Sequence, residues 1–200
     1  MIWIDGVLVS KGEGGVYGER ILKDARVWDP YRSKLGAIYY KGSEVDLTPE
    51  MRVLYLGAAH GTTVSHVADY TEVIYAVEMA PRPMRDLLEV SRRRKNIVPI
   101  LADAAQPETY ASLVEEVDLL YQDVAQPDQT SIAVRNSVFL KGGGTLILML
   151  KTQSVDVTKE PLTVLADAES RLARAGFTIM GNEWLEPYHR DHAAITCRKG

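Results

Sequence analysis

A run of small residues, Gly57-Ala58-Ala59-His60-Gly61-Thr62-Thr63, follows directly on the β-rich stretch Arg52-Val53-Leu54-Tyr55-Leu56. Small side chains let a backbone approach a ligand closely, and the first N–H groups of a following helix are unspent donors. Acidic residues stand in equivalent places after three later apolar runs. Glu78 is where folds of this kind set a carboxylate against a ribose diol; Asp103-Ala104 and Asp123-Val124-Ala125-Gln126 follow in turn. Carboxylates after successive strands would repel a pyrophosphate. They suit a cationic nucleoside with a sulfonium and an amino group, such as S-adenosylmethionine. Each signal alone has an ordinary explanation: a structural turn at Gly57, a solvated strand end at Glu78, a helix cap at Asp103. Their joint placement after four consecutive strands points to a cofactor site.

Holding these residues together requires a sheet. Strands are expected at Arg52–Leu56 and at 73–77, 97–101, 117–121 and 145–150, with helices at 63–70, 81–94, 108–115 and 127–140 between them. The last helix has Pro127 near its first turn and Gly142 just past its end, the usual asymmetry of helix termini. A further helix at 160–175 precedes strands at 178–184 and 193–198. Strand–helix alternation of this kind gives an α/β fold, Rossmann-like, with a seven-stranded, mostly parallel sheet covered on both faces. Ligands then sit at the carboxyl ends of the strands.

The pattern changes near residue 50. Residues 1–50 read as a small β-rich domain with strands at 1–4, 7–10 and 20–22 around a glycine-rich segment, 12–18, which favours turns over helix. A helix begins after Pro30, runs through Lys34, Leu35 and Ile38 and ends near Gly42. Residues 51–200 form the larger domain.

Composition narrows the class. A chain of 200 residues, 46% hydrophobic and 25% charged, can bury a real core. No apolar run has the length of a membrane span, and Met1-Ile2-Trp3-Ile4-Asp5-Gly6 lacks the pattern of a secretory signal. A single cysteine, Cys197, excludes an intrachain disulfide and a cysteine-based zinc site, and no metal site is expected. These features suggest an intracellular, cytoplasmic protein. The net charge of −4 argues against a protein that grips nucleic acid alone, because lysine and arginine supply most non-specific affinity.

Several stretches resemble the fibrillarin family. They are Val53-Leu54-Tyr55-Leu56-Gly57-Ala58-Ala59 with Gly61-Thr62-Thr63-Val64-Ser65-His66-Val67, then Asp123-Val124-Ala125-Gln126-Pro127, and Leu185-Glu186-Pro187-Tyr188 with Asp191-His192-Ala193. Arg26-Val27-Trp28-Asp29-Pro30-Tyr31-Arg32-Ser33-Lys34-Leu35 matches too, and Asp156-Val157-Thr158-Lys159-Glu160-Pro161 is similar to the archaeal branch. The resemblance spans nearly the whole chain. Two departures stand out: His60 where the family usually has serine, and a short 69–73 segment.

The resemblance implies a ribose 2′-O-methyltransferase that uses S-adenosylmethionine within a box C/D ribonucleoprotein. A guide RNA would select nucleotides in ribosomal or transfer RNA. A Nop-domain scaffold protein would hold the enzyme, and a kink-turn-binding, ribosomal-protein-like subunit would hold the RNA. Delegating RNA affinity to partners would account for the acidic charge. Carried over by motif, cofactor contacts fall on Gly57, Ala58, Thr62, Thr63, Glu78, Met79, Asp103, Ala104, Asp123, Val124, Ala125 and Gln126. The family's lysine–aspartate–lysine cluster and its fourth polar group fall on Lys34, Asp123, Lys151 and His192. Such a cluster would orient a poor hydroxyl nucleophile and help remove its proton.

Competing readings remain open at this stage. A lysine at a strand end is ordinarily a surface residue, and Lys41 is a rival to Lys34. The run Arg92-Arg93-Arg94-Lys95 closes a helix, where cations favour the dipole, or it touches RNA. Tyr17, Trp28 and Tyr31 pack between the two parts or stack on bases. Two alternatives keep the fold and change the role: a methyltransferase acting on a protein side chain such as glutamine, and a non-catalytic subunit of the RNA particle.

Overall fold

The computed structural model describes residues 1–43 and 45–200. Four short strands open the chain: β1 (Ile2–Ile4), β2 (Val7–Ser10), β3 (Ile21–Leu22) and β4 (Ala25–Val27). They form an antiparallel sheet in the order β1-β2-β4-β3. β4 is absent from the expected strands because its middle residue is Arg26, a charged residue that turns out to be fully buried.

Helix α1 (Lys34–Tyr40) follows. Ser33 caps it in an extended conformation, its hydroxyl accepting from the Gly36 N–H at 3.1 Å. The same oxygen accepts from Trp28 Nε1 at 2.8 Å, which leaves the Ser33 hydroxyl proton for the Thr63 hydroxyl oxygen at 3.0 Å. One serine therefore fixes the start of α1 against both the N-terminal sheet and the segment around Thr63. Gly36 lets α1 pack closely here, since an added Cβ would press on the Trp28 ring at 3.0 Å.

The main sheet has seven strands in the order β10-β11-β9-β8-β5-β6-β7. Parallel pairs join β5 (Arg52–Leu56), β6 (Val73–Glu78), β7 (Ile97–Leu101), β8 (Val117–Gln122) and β9 (Leu140–Lys151). β10 (Phe177–Trp184) and β11 (His192–Lys199) run antiparallel, with β11 between β9 and β10. Val53, Leu54, Leu56, Ile74, Leu119 and Leu120 are all buried, as apolar runs covered on both faces must be. The covering helices are α2 (Thr62–Val67), α3 (Pro81–Arg93), α4 (Gln129–Asn136), α5 (Thr152–Val155) and α6 (Pro161–Arg174). One apolar layer joins Leu8, Trp28, Leu35 and Ile38 to Val53, Val64, Ile147 and Met149, so the N-terminal sheet and α1 share a core with the main sheet. The opposite layer holds Leu56, Leu120, Ile132, Leu148 and Leu172.

Two expected helices differ. Residues 108–115 form only the 3₁₀ turns Pro107–Thr109 and Ala111–Leu113, because the segment is fastened by buried Tyr110, whose hydroxyl donates to the Asn136 carboxamide. The helix expected at 127–140 stops at Asn136. The next residues turn, and Leu140 pairs with Val117 to begin β9. Gly142 thus lies inside a strand and caps no helix. Sheet pairing outcompetes helix propensity there. Among the described residues no helix is long and apolar enough to cross a membrane.

Candidate active site

The carboxyl ends of β5, β6 and β8 enclose a cleft of about 180 Å³. Gly57 forms its floor with φ +81°, and an added Cβ would collide with the Asp123 carbonyl and come within 3.2 Å of Val124. Only glycine permits this crossing of two chains. The Gly57 and Ala58 N–H groups both donate to the Val77 carbonyl at 2.9 and 3.0 Å, tying the loop to β6. Glu78 is nearly buried. Its two oxygens accept from the N–H groups of Ala59 at 2.9 Å and Ala80 at 2.7 Å, which fixes the carboxylate while leaving lone pairs toward the cleft. Asp103 accepts from the Ala105 N–H at 2.9 Å and from Gln126 Nε2 at 3.3 Å, so Gln126 reaches across the cleft.

Gly57, Glu78, Met79, Ala104, Asp123, Val124, Ala125 and Gln126 line this space, and Asp103 borders it through Gln126. Ala59, Val77 and Ala102 also line it; none of the three was assigned to the cofactor from sequence, although Ala59 stood in the marked small-residue run. Ala58 lies in the buried layer behind. Thr63 turns its hydroxyl to Ser33, and Thr62 borders a separate depression with His60, Asp86 and Arg32. Small walls and fixed carboxylates, with neither Glu78 nor Asp103 in an ion pair among the described residues, fit a cationic nucleoside.

Asp123 also meets a lysine. Lys34 Nζ donates to its two oxygens at 2.7 and 2.8 Å, and both side chains are about one-fifth exposed. Below them Tyr55 and Tyr121 tilt together with ring centroids 4.5 Å apart. Burial foremost, and then the Asp123 charge, drives the Tyr55 phenol far above its ordinary range, so it remains protonated.

Lys151 ends β9 and pairs in register with His192, the first residue of β11. Gln129, itself fully buried, clamps the Lys151 backbone: its Oε1 accepts from the Lys151 N–H at 2.9 Å and its Nε2 donates to the Lys151 carbonyl at 3.1 Å. Among the described residues the Lys151 ammonium forms no ion pair. His192 Nδ1 bonds to the Arg190 carbonyl at 2.6 Å. Burial, and secondarily the Lys34 charge, lowers its pKa despite that bond and the Asp123 carboxylate.

Gln129 and His189 were not singled out from sequence. His189 Nε2 donates to the Pro30 carbonyl at 2.8 Å, joining the loop before β11 to the loop before α1. Its ring lies 6.1 Å from His192, and burial, then Lys34, lowers its pKa. The available signal was its position, between the marked stretches Leu185–Tyr188 and Asp191–Ala193. Lys41 is committed elsewhere, to Glu183 at 3.4 Å and the Glu186 carbonyl at 3.2 Å. Arg93 and Arg94 hold the glycine-rich loop through the Gly15 and Glu13 carbonyls, and Arg94 is buried against Asp69. Trp28 is buried and stacked on His66, whereas Tyr31 is exposed.

A family model described as Fibrillarin matches residues 8–200. The chain belongs to the fibrillarin family. It is 67% identical to a fibrillarin-like rRNA/tRNA 2′-O-methyltransferase of Methanoculleus marisnigri, over the whole of this chain and 99% of that protein. Its fold is similar to fibrillarin in a fibrillarin/Nop5p complex, with a TM-score of 0.93 and 44% identity over 98% of this chain and 96% of the other. Aeropyrum pernix fibrillarin, crystallised with natively bound S-adenosyl-L-methionine, superposes with a TM-score of 0.84 at 47% identity, covering 94% of this chain and 85% of that one. His60, one of the two departures from the family motif seen in the sequence, lies in the Gly57 loop. Its Nδ1 bonds to Asp86 at 2.6 Å on the exposed side of the loop, away from the cleft walls.

Proposed function

We propose that this chain methylates ribose 2′-hydroxyls of ribosomal and transfer RNA from S-adenosylmethionine, as the catalytic subunit of a guide-RNA-directed box C/D ribonucleoprotein. The observation that carries this reading is Asp123, which lines the small-residue cleft and is held by Lys34 on its other flank. One carboxylate thereby joins the cofactor space to a cationic cluster suited to a hydroxyl. Bound in the cleft, S-adenosylmethionine supplies an electrophilic methyl group. Glu78 would hold the ribose hydroxyls of the nucleoside, Asp103 and Gln126 its base edge, and the Gly57 loop its amino-acid end.

The remaining chemistry belongs to the chain. Asp123 orients the attacking oxygen, and Lys34 fixes the rotamer of Asp123. Lys151 either takes the hydroxyl proton as a neutral amine or, as an ammonium, stabilises the alkoxide whose proton passes to water, and His192 positions the ribose. Lys151→Arg separates two versions of its role, because arginine keeps the charge but gives up no proton. Residues 1–50 present Lys34 to a cofactor-binding domain of 51–200. Similarity to fibrillarin bound to Nop5p supports a Nop-domain scaffold as partner. A kink-turn-binding subunit and guide RNA complete a cytoplasmic particle, and the net charge of −4 accords with RNA affinity held by those partners.

The test is transfer of labelled methyl to a guide-matched RNA, by the chain alone and in the assembled particle. Activity in the particle, lost in Asp123→Ala, is the expected result. Cofactor binding with no RNA methylation in either form would overturn it in favour of another substrate on the same fold.

A further inference from the structure

β8 ends at Gln122, opposite Leu148 of β9, so Met149 to Lys151 run on beyond their partner strand. In an antiparallel pair the N–H and C=O of one residue point to the same side. At Lys151 both point away from β11, and it is the Thr152 N–H that donates to the Asp191 carbonyl, at 3.1 Å. The last residue of β9 thus faces the end of β8 with a donor and an acceptor that no strand takes up. The Gln129 carboxamide takes the strand's place, accepting from the Lys151 N–H at 2.9 Å and donating to its carbonyl at 3.1 Å. A carboxamide offers one acceptor and donors in a single plane, as a peptide group does; a carboxylate offers acceptors alone. Gln129 is itself held where α4 begins. Gln122 Nε2 donates to its main-chain carbonyl at 2.7 Å, and both glutamines are fully buried.

The clamp grips backbone and leaves the amine free. Ile147 and Met149, which share the face of Lys151, lie in one layer with Tyr55 and Tyr121, the rings beneath Asp123. Leu148 and Leu150 lie in the opposite layer with Ile132 of α4. Lys151 therefore projects from the face that carries Asp123, beside His192 in a closely spaced, non-hydrogen-bonded pair. Gln129 also shares a short segment with Asp123, and Gln126 between them lines the cofactor cleft. One stretch of chain holds Lys34 at its start, walls the cleft in its middle and holds Lys151 at its end.

We propose that Gln129 is a positioning residue for methyl transfer, its carboxamide setting the Lys151 backbone so that the amine meets the attacking 2′-oxygen. The proposal rests on the RNA methyltransferase reading. Gln129 acts through Lys151 and is not itself catalytic.

The experiment is single-turnover methylation of guide-matched RNA by the assembled particle across a range of pH. Gln129→Met keeps the bulk and removes both hydrogen bonds, and is expected to slow methyl transfer at saturation about 100-fold. RNA and cofactor affinities should change less than about twofold. Gln129→Glu separates positioning from packing. A protonated glutamic acid supplies one donor and one acceptor, like the carboxamide, whereas the ionised form cannot donate to the Lys151 carbonyl. Burial raises the pKa of such an acid, so the rate relative to wild type should be highest at low pH and fall about tenfold or more as pH rises. A ratio that stays flat with pH overturns the proposal, and it does so even where Gln129→Met fails to fold. A Gln129→Met rate within about twofold of wild type overturns it too. Cofactor affinity that weakens in step with the rate also overturns it, making Gln129 a strut of the cleft. An inactive wild-type particle overturns the methyltransferase reading itself.

Discussion

Lys34 and Asp123 are 89 positions apart in sequence, yet the lysine Nζ sits within 2.8 Å of both oxygens of the carboxylate. α1 delivers one from its first turn and β8 delivers the other just past its end. Each immobilises its partner, so the two act as a unit. Asp123→Ala and Lys34→Ala should each lower single-turnover methyl transfer by about 100-fold or more, and the double variant should lose little beyond the worse single. Additive losses in that cycle would show that the pair is not coupled.

Gly57 makes a cleaner test of the cofactor cleft. Alanine there combines a left-handed φ with a collision against the Asp123 carbonyl. Gly57→Ala should cost on the order of 1–3 kcal/mol of stability. Thermal melting of the wild-type chain should rise with S-adenosylmethionine and not with NAD, by about 2.7 kcal/mol of stabilisation at a hundredfold excess over Kd. The variant should show no rise with either ligand. A normal shift in Gly57→Ala would move the cofactor out of this cleft.

A pH dependence follows from His66. Ser10 spends its hydroxyl proton on Asp69 at 2.6 Å, so His66 Nδ1 donates to Ser10 at 2.7 Å. In the neutral ring, stacked on Trp28 at 4.8 Å, Nε2 then accepts from the Tyr17 hydroxyl at 2.6 Å. Burial, followed by the Arg26 charge, lowers its pKa from 6.5 to about 2. The unfolded chain takes up this proton first, so the stability is complete above about pH 6.5 and is lost as pH falls toward 2. Below 6.5 the slope from this one group approaches about 1.4 kcal/mol per pH unit. His189 and His192 add in the same direction, so the comparison is with His66→Gln, whose urea-unfolding profile should be flatter between pH 6 and 5 by about that amount. An unchanged slope would mean that His66 ionises in the fold.

Arg26 is the other keystone of that region. Fully buried, it reaches Glu19, Asp69 at 2.7 Å, the Ser65 carbonyl at 3.0 Å and the Ser65 hydroxyl at 2.7 Å. Arg26→Met should cost about 3–5 kcal/mol in denaturant unfolding, since it strands buried carboxylates. Arg26→Met combined with Glu19→Gln should recover part of the loss. No recovery would attribute the cost to packing.

The main sheet was legible because strands covered on both faces must be apolar almost without interruption, as Val53 to Leu56 and Ile74 to Val77 are. The cleft was legible because the ends of those strands dictate where a ligand can sit, and the acidic and small residues fell there together. What local pattern could not convey was anything resting on long-range partners. β4 was hidden by Arg26, whose burial depends on Glu19 and Asp69 folding around it. Thr63 looked free beside the cofactor loop until Ser33 took its hydroxyl. Gln129 reads as a polar helix residue, and only the approach of β9 reveals it as the clamp on Lys151.

The strand order sets a schedule for biosynthesis. β11 lies between β9 and β10 although both precede it in sequence, and it brings His189 and His192 to Lys34. A ribosome delivers the parallel platform β5 to β9 first, with one rim of β9 unpaired. Until residues 192–199 emerge and insert, β10 has no partner and the loop from Pro30 to Lys34 lacks its tie to His189. The cleft at Gly57, Glu78 and Asp123 is thus built from strands that come early in the chain, whereas the tie between His189 and the loop before Lys34 depends on the strand inserted last.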